Sequence, residues 1–195
     1  MKNGSVRVSV DGLDAGAADS KLDLNTLITS QTTDPIAANR AGAVTYEVIS
    51  ENADKAAIND ITVFSATEIG DYTIRATKAG TDYYETVTAD FTVTVTKRPN
   101  TMTTTASYTK YVDDEVKDVA TVINSDGEIH TNSSDATIAY YDIAQNKIII
   151  PNSEAKSFNQ TEVTITISQD ETTRFEATEK TIILTVRSEE RRVGK

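Results

Sequence analysis

The sequence has no cysteine and no tryptophan among its 195 residues, and aromatic residues make up only 6% of it. Without cysteine the chain has no disulfide framework, no thiolate metal site and no thiol nucleophile. No apolar run approaches the roughly 20 residues that a bilayer-spanning helix needs, and the first ten residues lack the apolar stretch of a signal peptide. We therefore expect no membrane insertion of this segment, and a signal peptide that lies outside it.

Charge and composition narrow the class of protein further. The formal net charge is −11, and no basic cluster precedes the last nine residues, so we expect no nucleic-acid partner. Hydrophobic residues make up 38% and charged residues 25% of the chain, which is ordinary for a folded soluble protein. The apolar content is mostly Val, Ile and Ala beside abundant Thr, and this composition favours β-sheets.

An internal repeat is visible in the sequence. Residues 72–95 align without a gap to residues 163–186, at an offset of 91 residues. A period of this length is close to the size of one β-sandwich domain, about 100 residues. The identical pairs are Thr73/Thr164, Ile74/Ile165, Thr81/Thr172, Glu85/Glu176, Thr94/Thr185 and Val95/Val186.

A second match lies upstream of this repeat. Residues 44–49, VTYEVI, resemble residues 138–143, IAYYDI, and this alignment places Tyr46 opposite Tyr140. Two homologous domains are the simplest explanation for both matches.

The boundary between the domains is predicted at KRPN, residues 97–100, where a proline follows a long strand pattern. We expect one domain over residues 1–98 and a second over residues 99–186.

Apolar and polar residues alternate with a period of two, which predicts strands that bury one face. Turn-forming residues separate these segments and leave room for about seven strands per repeat, whereas residues 148–150 form a continuous apolar run typical of a covered strand. The predicted buried positions are Val6, Val8, Val10, Tyr72, Ile74, Ala76, Phe91, Val93, Val95, Val163, Ile165 and Ile167. The predicted turns are Asp11-Gly12, Ile69-Gly70-Asp71, residues 78–81 and Asp126-Gly127.

The last nine residues, RSEERRVGK at 187–195, have a different character. They show no periodicity, and they resemble the translation of a sequencing-library adapter that reads AGATCGGAAGAGCGTCGTGTAGGGAAA. We expect this tail to be non-native and the chain to be a fragment of a longer protein, with its true termini elsewhere.

Three segments carry a family resemblance: VTYEVIS at 44–50, IGDYTIRATKAGTDYYE at 69–85 and the closing strand FTVTV at 91–95. They resemble the bacterial immunoglobulin-like repeats, of Big or MBG type, that occur in tandem in surface proteins and adhesins. The resemblance implies an all-β fold of two tandem immunoglobulin-like antiparallel β-sandwich domains, and an extracellular or cell-surface location.

Catalytic chemistry has little support in the sequence. The single histidine, His130, follows a predicted turn, and we expect it to be an exposed loop residue. A triad with Ser133 or Ser134 would need a nucleophile elbow or an oxyanion loop, and no such motif is present. We therefore expect a protein that is not an enzyme.

Calcium is the one cofactor for which residues are available. Asp113-Asp114-Glu115 and the pair Asp11 and Asp14 offer carboxylate oxygens that could bind calcium at a domain edge. They lack the D-x-D-x-D-G spacing of a calcium loop, so solvated loops are the favoured interpretation, and we expect no cofactor and no metal site.

Tyr83 is the candidate ligand contact, because it is adjacent to Tyr84 and one of two adjacent residues in extended chain points outward. An exposed Tyr83 could stack on a sugar ring. The favoured alternative is that Tyr84 packs in the core, as its aligned partner Phe175 suggests, while Tyr83 covers a sheet edge.

These observations lead to two candidate functions. The first is a non-catalytic extracellular structural or adhesion module, a stalk or spacer repeat of a larger bacterial surface or secreted protein. The alternative is a carbohydrate-binding accessory module of a secreted polysaccharide-processing enzyme. The expected partners are neighbouring domains of the same chain, and a glycan or host surface protein.

Overall fold

The structure is a computed structural model that describes residues 2–10, 18–28, 42–112, 114–123, 126–151 and 160–187. The chain divides into two compact units, Met1–Arg98 (unit 1) and Pro99–Lys195 (unit 2). Within the described residues, no helix has the length and hydropathy that crossing a membrane requires. Short 3-10 turns lie at Ala18–Ser20, Leu24–Leu27 and Ala53–Lys55.

The described residues of unit 1 form seven strands in two sheets. One sheet has the order β1-β7-β6-β3 and the other has the order β2-β5-β4. The first strand runs parallel to the last, β1 beside β7, whereas the other pairs are antiparallel. The strands are β1 Gly4–Arg7, β2 Leu22–Asp23, β3 Val44–Val48, β4 Ala56–Asn59, β5 Val63–Ala66, β6 Gly70–Lys78 and β7 Val87–Thr96.

The core of unit 1 follows the predicted alternation. Tyr72, Ile74 and Ala76 of β6 are buried, and their polar neighbours point away from the core. The rings of Phe64 and Tyr72 meet edge to face at 5.5 Å between centroids, which joins the two sheets. The predicted burial of Val6, Val8, Val10, Phe91, Val93 and Val95 is confirmed as well.

The bend before β6 differs from the prediction. Gly70 is the first residue of β6 rather than the centre of a turn, and its φ of 142° lies in a region that glycine adopts without a steric penalty. Two residues later, the Tyr72 hydroxyl donates a hydrogen bond of 2.9 Å to the carbonyl oxygen of Glu68. This is the tyrosine corner found at the same place in immunoglobulin-like sandwiches.

In unit 2, the part of the chain that the structure describes forms nine strands. Its four-stranded sheet has the order β12-β15-β16-β9, a three-stranded sheet has the order β10-β14-β13, and β8 pairs with β11. Here too an early strand, β9, runs parallel to the last strand, β16. The strands are β8 Thr101–Thr104, β9 Ser107–Tyr111, β10 Glu115–Lys117, β11 Ala120–Ile123, β12 Ile129–Ser133, β13 Tyr140–Asp142, β14 Lys147–Ile149, β15 Gln160–Gln169 and β16 Thr178–Arg187.

A cluster of buried residues forms the core of unit 2. It combines residues from the four-stranded and three-stranded sheets, and it confirms the predicted burial of Val163, Ile165 and Ile167. Ile148 and Ile150 are buried and Ile149 is half-buried, as expected for the central strand of a sheet. The other buried members are Met102, Val116, Val119, Ala120, Ala139, Tyr141, Ile182, Leu184 and Val186.

Asn146 organises the hairpin between β13 and β14. Its Oδ1 accepts hydrogen bonds from the Ala120 amide at 3.0 Å and from the Tyr141 hydroxyl at 2.9 Å. Its Nδ2 donates to the Ala120 carbonyl oxygen at 2.9 Å. The residue has a φ of 50°, which asparagine tolerates better than most residues do.

The repeat at an offset of 91 residues is reproduced in the strand register. Gly70 pairs with Val95 in unit 1, and the corresponding Thr161 pairs with Val186 in unit 2. The strands β7, at 87–96, and β16, at 178–187, correspond end to end. The aligned segments therefore form the same hairpin.

The upstream alignment of Tyr46 with Tyr140 is wrong. Tyr46 lies in β3, which pairs with β6, and the strand of unit 2 that occupies this place beside β15 is β12. Tyr140 lies in β13, which belongs to a different sheet. The sequence match failed because β12, IHTNS, is largely polar and has little similarity to β3.

The predicted fold class is confirmed: the chain is all-β and consists of two tandem immunoglobulin-like β-sandwiches. The predicted turn at 78–81 lies at the end of β6 and in the loop that follows it. Asp126-Gly127 lies between β11 and β12. The predicted turn Asp11-Gly12 lies outside the described residues.

Candidate functional site

Tyr83 and Tyr84 lie in the loop between β6 and β7, and both are exposed. The exposed fractions of these residues are 63% for Tyr83 and 48% for Tyr84. Thr81 closes the loop, because its amide donates to the Tyr84 carbonyl oxygen at 2.8 Å and the Tyr84 amide donates back at 3.3 Å. Residues 80–86 line an open depression, so two phenol rings stand beside a shallow concave surface.

The prediction that Tyr84 packs in the core is wrong, although its aligned partner Phe175 is only 4% exposed. The two loops share a backbone turn, because the Thr172 amide donates to the Phe175 carbonyl oxygen at 3.0 Å as Thr81 does to Tyr84. The difference therefore lies in the side chains. A phenol hydroxyl needs a hydrogen-bond partner when it is buried, and a phenyl ring does not.

His130 is exposed, as predicted, but it lies in strand β12 and not in a loop. Its backbone pairs with Ser168 of β15, and its Nε2 lies 2.9 Å from Asp170 Oδ2. The neighbouring Glu128 completes a group of three exposed side chains whose ligand atoms all lie within 4.8 Å of one another. We refer to Glu128, His130 and Asp170 as the imidazole–carboxylate cluster.

The cluster changes the titration of its histidine. The hydrogen bond to Asp170 is the largest cause, followed by the charge of that carboxylate, and together they raise the pKa of His130 above its ordinary value. The charge of Glu128 acts in the same direction.

Sequence reasoning missed this cluster because Asp170 is 40 residues from His130 in the chain. Only the register of β12 against β15 brings the two side chains together.

The structure does not bring His130 together with either candidate serine. The Ser133 hydroxyl donates to the Ala139 carbonyl oxygen at 2.6 Å, and Ser134 Oγ accepts from the Thr164 amide at 2.9 Å. Both hydroxyls are therefore engaged by backbone groups, and the partner of the His130 ring is Asp170.

The described calcium candidates have other partners. Asp114 Oδ2 accepts from the Tyr111 amide at 3.0 Å. Glu115 binds two lysines, with its Oε1 2.8 Å from Lys117 Nζ and its Oε2 3.2 Å from Lys147 Nζ. Hydrogen bonds from these lysines lower the pKa of Glu115. Its carboxylate thus neutralises cations of the protein, and no group of three metal-ligand side chains among the described residues includes Asp114 or Glu115.

The remaining calcium candidates, Asp11, Asp14 and Asp113, lie outside the described residues.

Comparison with known proteins finds structural likeness only. No family model matches the sequence, and no curated protein matches it. The chain is similar to Drosophila N-cadherin EC1-4 with 14% identity and a TM-score of 0.37, over 96% of this chain and 47% of that one.

Two further structures are similar to this chain. Chicken VE-cadherin EC1-2 has 11% identity and a TM-score of 0.38, over 96% of this chain and 98% of that one. Domains 1-6 of the surface layer protein SbsC have 12% identity and a TM-score of 0.39, over 80% of this chain and 21% of that one. The chain thus spans about half the length of the N-cadherin structure, and its fold assignment rests on its own strand order.

Proposed function

We propose that the chain is a non-catalytic structural or adhesion module, a stalk or spacer repeat of a larger bacterial surface or secreted protein. Residues 1–98 and 99–186 would be its two domains, of the bacterial immunoglobulin-like (Big or MBG) type. The module would act outside the cell, beside neighbouring domains of the same chain.

The observation that carries this proposal is the pairing of the terminal strands. In unit 1, β1 lies beside β7 in parallel, with Gly4 opposite Val93 and Arg7 opposite Thr96. A related arrangement occurs in unit 2, where the second strand, β9, lies parallel to the last strand, β16. Tension on the two ends of such a unit pulls the paired strands in opposite directions along their length. The ladder hydrogen bonds are then loaded together in shear, which suits a spacer under tension.

Single-molecule stretching in two directions tests this proposal on the full chain. Because the sequence lacks cysteine, introduced cysteines give unique attachment points. Handles at Lys2→Cys and Lys97→Cys shear β1 against β7. Handles at Ala43→Cys and Ala79→Cys open the β3–β6 pair from its end, since the Ala79 amide donates to the Ala43 carbonyl oxygen at 2.9 Å. That second geometry breaks one hydrogen bond at a time and is the matched control.

We expect unit 1 to yield at a clearly higher force in the shearing geometry than in the peeling geometry. Equal forces in the two geometries would contradict the resistance to shear on which the spacer proposal rests.

A second candidate function, carbohydrate binding by an accessory module, is favoured by the two exposed tyrosines of the β6–β7 loop. Tyr83 and Tyr84 offer flat apolar faces at an open depression. A screen of residues 5–186 against glycans and host matrix proteins, with and without calcium, tests this candidate. Binding that is lost in Tyr83→Ala but kept in Tyr140→Ala, a control at an exposed tyrosine of unit 2, would support it. A folded protein that binds nothing on the array would contradict it.

We further propose that residues 187–195 derive from a library adapter. Sequencing of the genomic locus tests this proposal, which fails if the gene encodes RSEERRVGK in continuous frame.

A further inference from the structure

We propose that the imidazole–carboxylate cluster of unit 2 is a binding site for a zinc-like divalent transition-metal ion. The site lies on the face of the four-stranded sheet that points away from the core. Its protein ligands would be one imidazole nitrogen and one oxygen from each of two carboxylates.

The strand register places the three side chains on one surface. Glu128 precedes β12 by one residue and Asp170 follows β15 by one residue, and the Asp170 amide donates to the Glu128 carbonyl oxygen at 3.0 Å. Glu128 and Asp170 are therefore direct cross-strand neighbours. His130 is two residues from Glu128, so its side chain stands on the same face of the strand.

The distances suit an ion held between these groups. The ligand atoms lie within 4.8 Å of one another, and His130 Nε2 is already 2.9 Å from Asp170 Oδ2. An ion with bonds of about 2.0–2.2 Å separates its ligand atoms by roughly 3–4 Å. Because all three side chains are exposed, small rotations about their terminal bonds can bring them to this separation.

The ligand types decide which ion fits. An imidazole nitrogen with two carboxylate oxygens suits zinc and its first-row neighbours, and three protein ligands leave a position for water. Calcium takes six to eight oxygen ligands, so this cluster is a poor calcium site. The imidazole distinguishes the cluster from a merely acidic patch.

Unit 1 repeats the backbone of the site without its ligands. The Ala79 amide donates to the Ala43 carbonyl oxygen at 2.9 Å, as Asp170 does to Glu128, and the register of β3 against β6 puts Thr45 at the place of His130. The geometry of the strands is thus common to both units, and the ligand side chains belong to unit 2.

The single histidine makes the test direct. The sequence contains one histidine and no cysteine, so the His130 imidazole resonances report on the only site that can combine imidazole with metal. Zinc would be titrated into the full chain at mildly alkaline pH, which favours the neutral imidazole that metals bind, while these resonances and the heat of binding are followed. We expect saturation at one equivalent that coincides with a shift of the His130 signals.

Variants then separate a three-ligand site from a lone imidazole. Glu128→Gln and Asp170→Asn keep the shape of each side chain and remove its charge. Each is expected to weaken zinc binding by at least about tenfold, because loss of even an indirect metal-orienting contact costs that much. Glu162→Gln, at an exposed carboxylate of β15 outside the cluster, is the matched control and should bind like the original protein. Calcium should leave the His130 signals unchanged.

Two results would overturn the proposal. One is that zinc leaves the His130 resonances unmoved, and the other is that zinc binds Glu128→Gln and Asp170→Asn as tightly as the original chain. In either case the contact between His130 and Asp170 is a surface ion pair and nothing more.

Transfer of the three ligand side chains to unit 1 tests whether this strand pairing is enough to build a zinc site. Ala43→Glu, Thr45→His and Ala79→Asp place the three ligands at exposed positions of unit 1 in the full chain. We expect a second equivalent of zinc and a second set of shifted imidazole signals. A folded transplant, shown by unchanged circular dichroism, that binds no second equivalent would contradict the claim that this strand pairing builds the site.

Discussion

The β6–β7 hairpin of unit 1 and the β15–β16 hairpin of unit 2 have the same register, yet their polar side chains differ at several matching positions. Tyr72, which donates the tyrosine-corner hydrogen bond, corresponds to Val163, which is buried and has no hydroxyl. The Arg75–Asp90 ion pair corresponds to the cross-strand pair of Thr166 and Thr181.

The comparison shows which features the shared fold needs. Alternating β-branched and apolar residues are present in both hairpins and bury the same positions, so this pattern is what the two strand pairs have in common. The polar contacts vary between units, so neither hairpin needs the polar contacts of the other to adopt this register. Stability measurements on variants at matched positions of the two units test this division.

The largest difference in stability between matched variants is expected at the loops that follow β6 and β15. Phe175→Ala should destabilise unit 2 by about 3–5 kcal/mol, because a ring that is 4% exposed leaves a cavity. Tyr84→Ala, at the matching exposed position, should change the stability of unit 1 by no more than about 0.5 kcal/mol. Hydrogen exchange read on peptides from β6 and β15 separates the two units. Equal losses would mean that Tyr84 packs as Phe175 does.

A smaller loss of stability is expected from substitution of Asn146, which organises the β13–β14 hairpin of unit 2. Asn146→Ala removes three side-chain hydrogen bonds and should cost about 2–4 kcal/mol in the free energy of unfolding. Asn146→Gly loses the same bonds but accepts the φ of 50° freely, so it should be about 1 kcal/mol more stable than the alanine variant. Denaturant unfolding measures both. A glycine variant as stable as the original would show that the hydrogen bonds contribute little.

A substitution in the corresponding hairpin of unit 1, between β4 and β5, should raise the stability of that unit. Asp60 and Ile61 connect β4 to β5 with φ values of 46° and 70°, a backbone that suits glycine and strains a β-branched residue. Ile61 is also 72% exposed, so little packing would be lost. Ile61→Gly should stabilise unit 1 by about 1 kcal/mol, seen as a higher denaturant midpoint. Ile61→Ala retains the backbone strain and is the control. A glycine variant that is no more stable than the alanine variant would contradict the strain at Ile61.

The smallest effect is expected at the Arg75–Asp90 pair. The hydrogen bond from Arg75 lowers the pKa of Asp90 below its ordinary value of 3.8. The contribution to stability is therefore present above the unfolded pKa and is lost as the pH falls through the lowered folded pKa. Arg75→Thr with Asp90→Thr, which copies unit 2, should flatten this acid dependence and leave neutral stability nearly unchanged, because both side chains are exposed. An undiminished acid dependence in this variant would assign it to other carboxylates.

The fold was predictable to the extent that it depends on alternation and repetition. Val163, Ile165 and Ile167 were predicted to be buried because a strand with one covered face shows its period directly. The parallel pairing of β1 with β7 was not predictable, since it joins segments about 90 residues apart without any local signal. The polar strand β12 was missed for the opposite reason, because its apolar pattern is too weak to align.

The site could be predicted only in part. Exposure of Tyr83 and His130 was within reach of sequence reasoning, because polar or amphipathic residues beside turns are seldom covered. The approach of Asp170 to His130 required the register of two strands, which a single sequence does not provide.

The parallel placement of the first and last strands also has a consequence for how such a protein can grow. β1 runs parallel to β7, begins opposite Val93 and ends opposite Thr96, so the first and last strands of unit 1 lie side by side over the end of β7. A gene segment that encodes one such unit carries both partners of this strand pair, so an in-frame duplication or deletion leaves every remaining pair complete. Length then becomes a trait that recombination can adjust one unit at a time, without change to the interior of any copy.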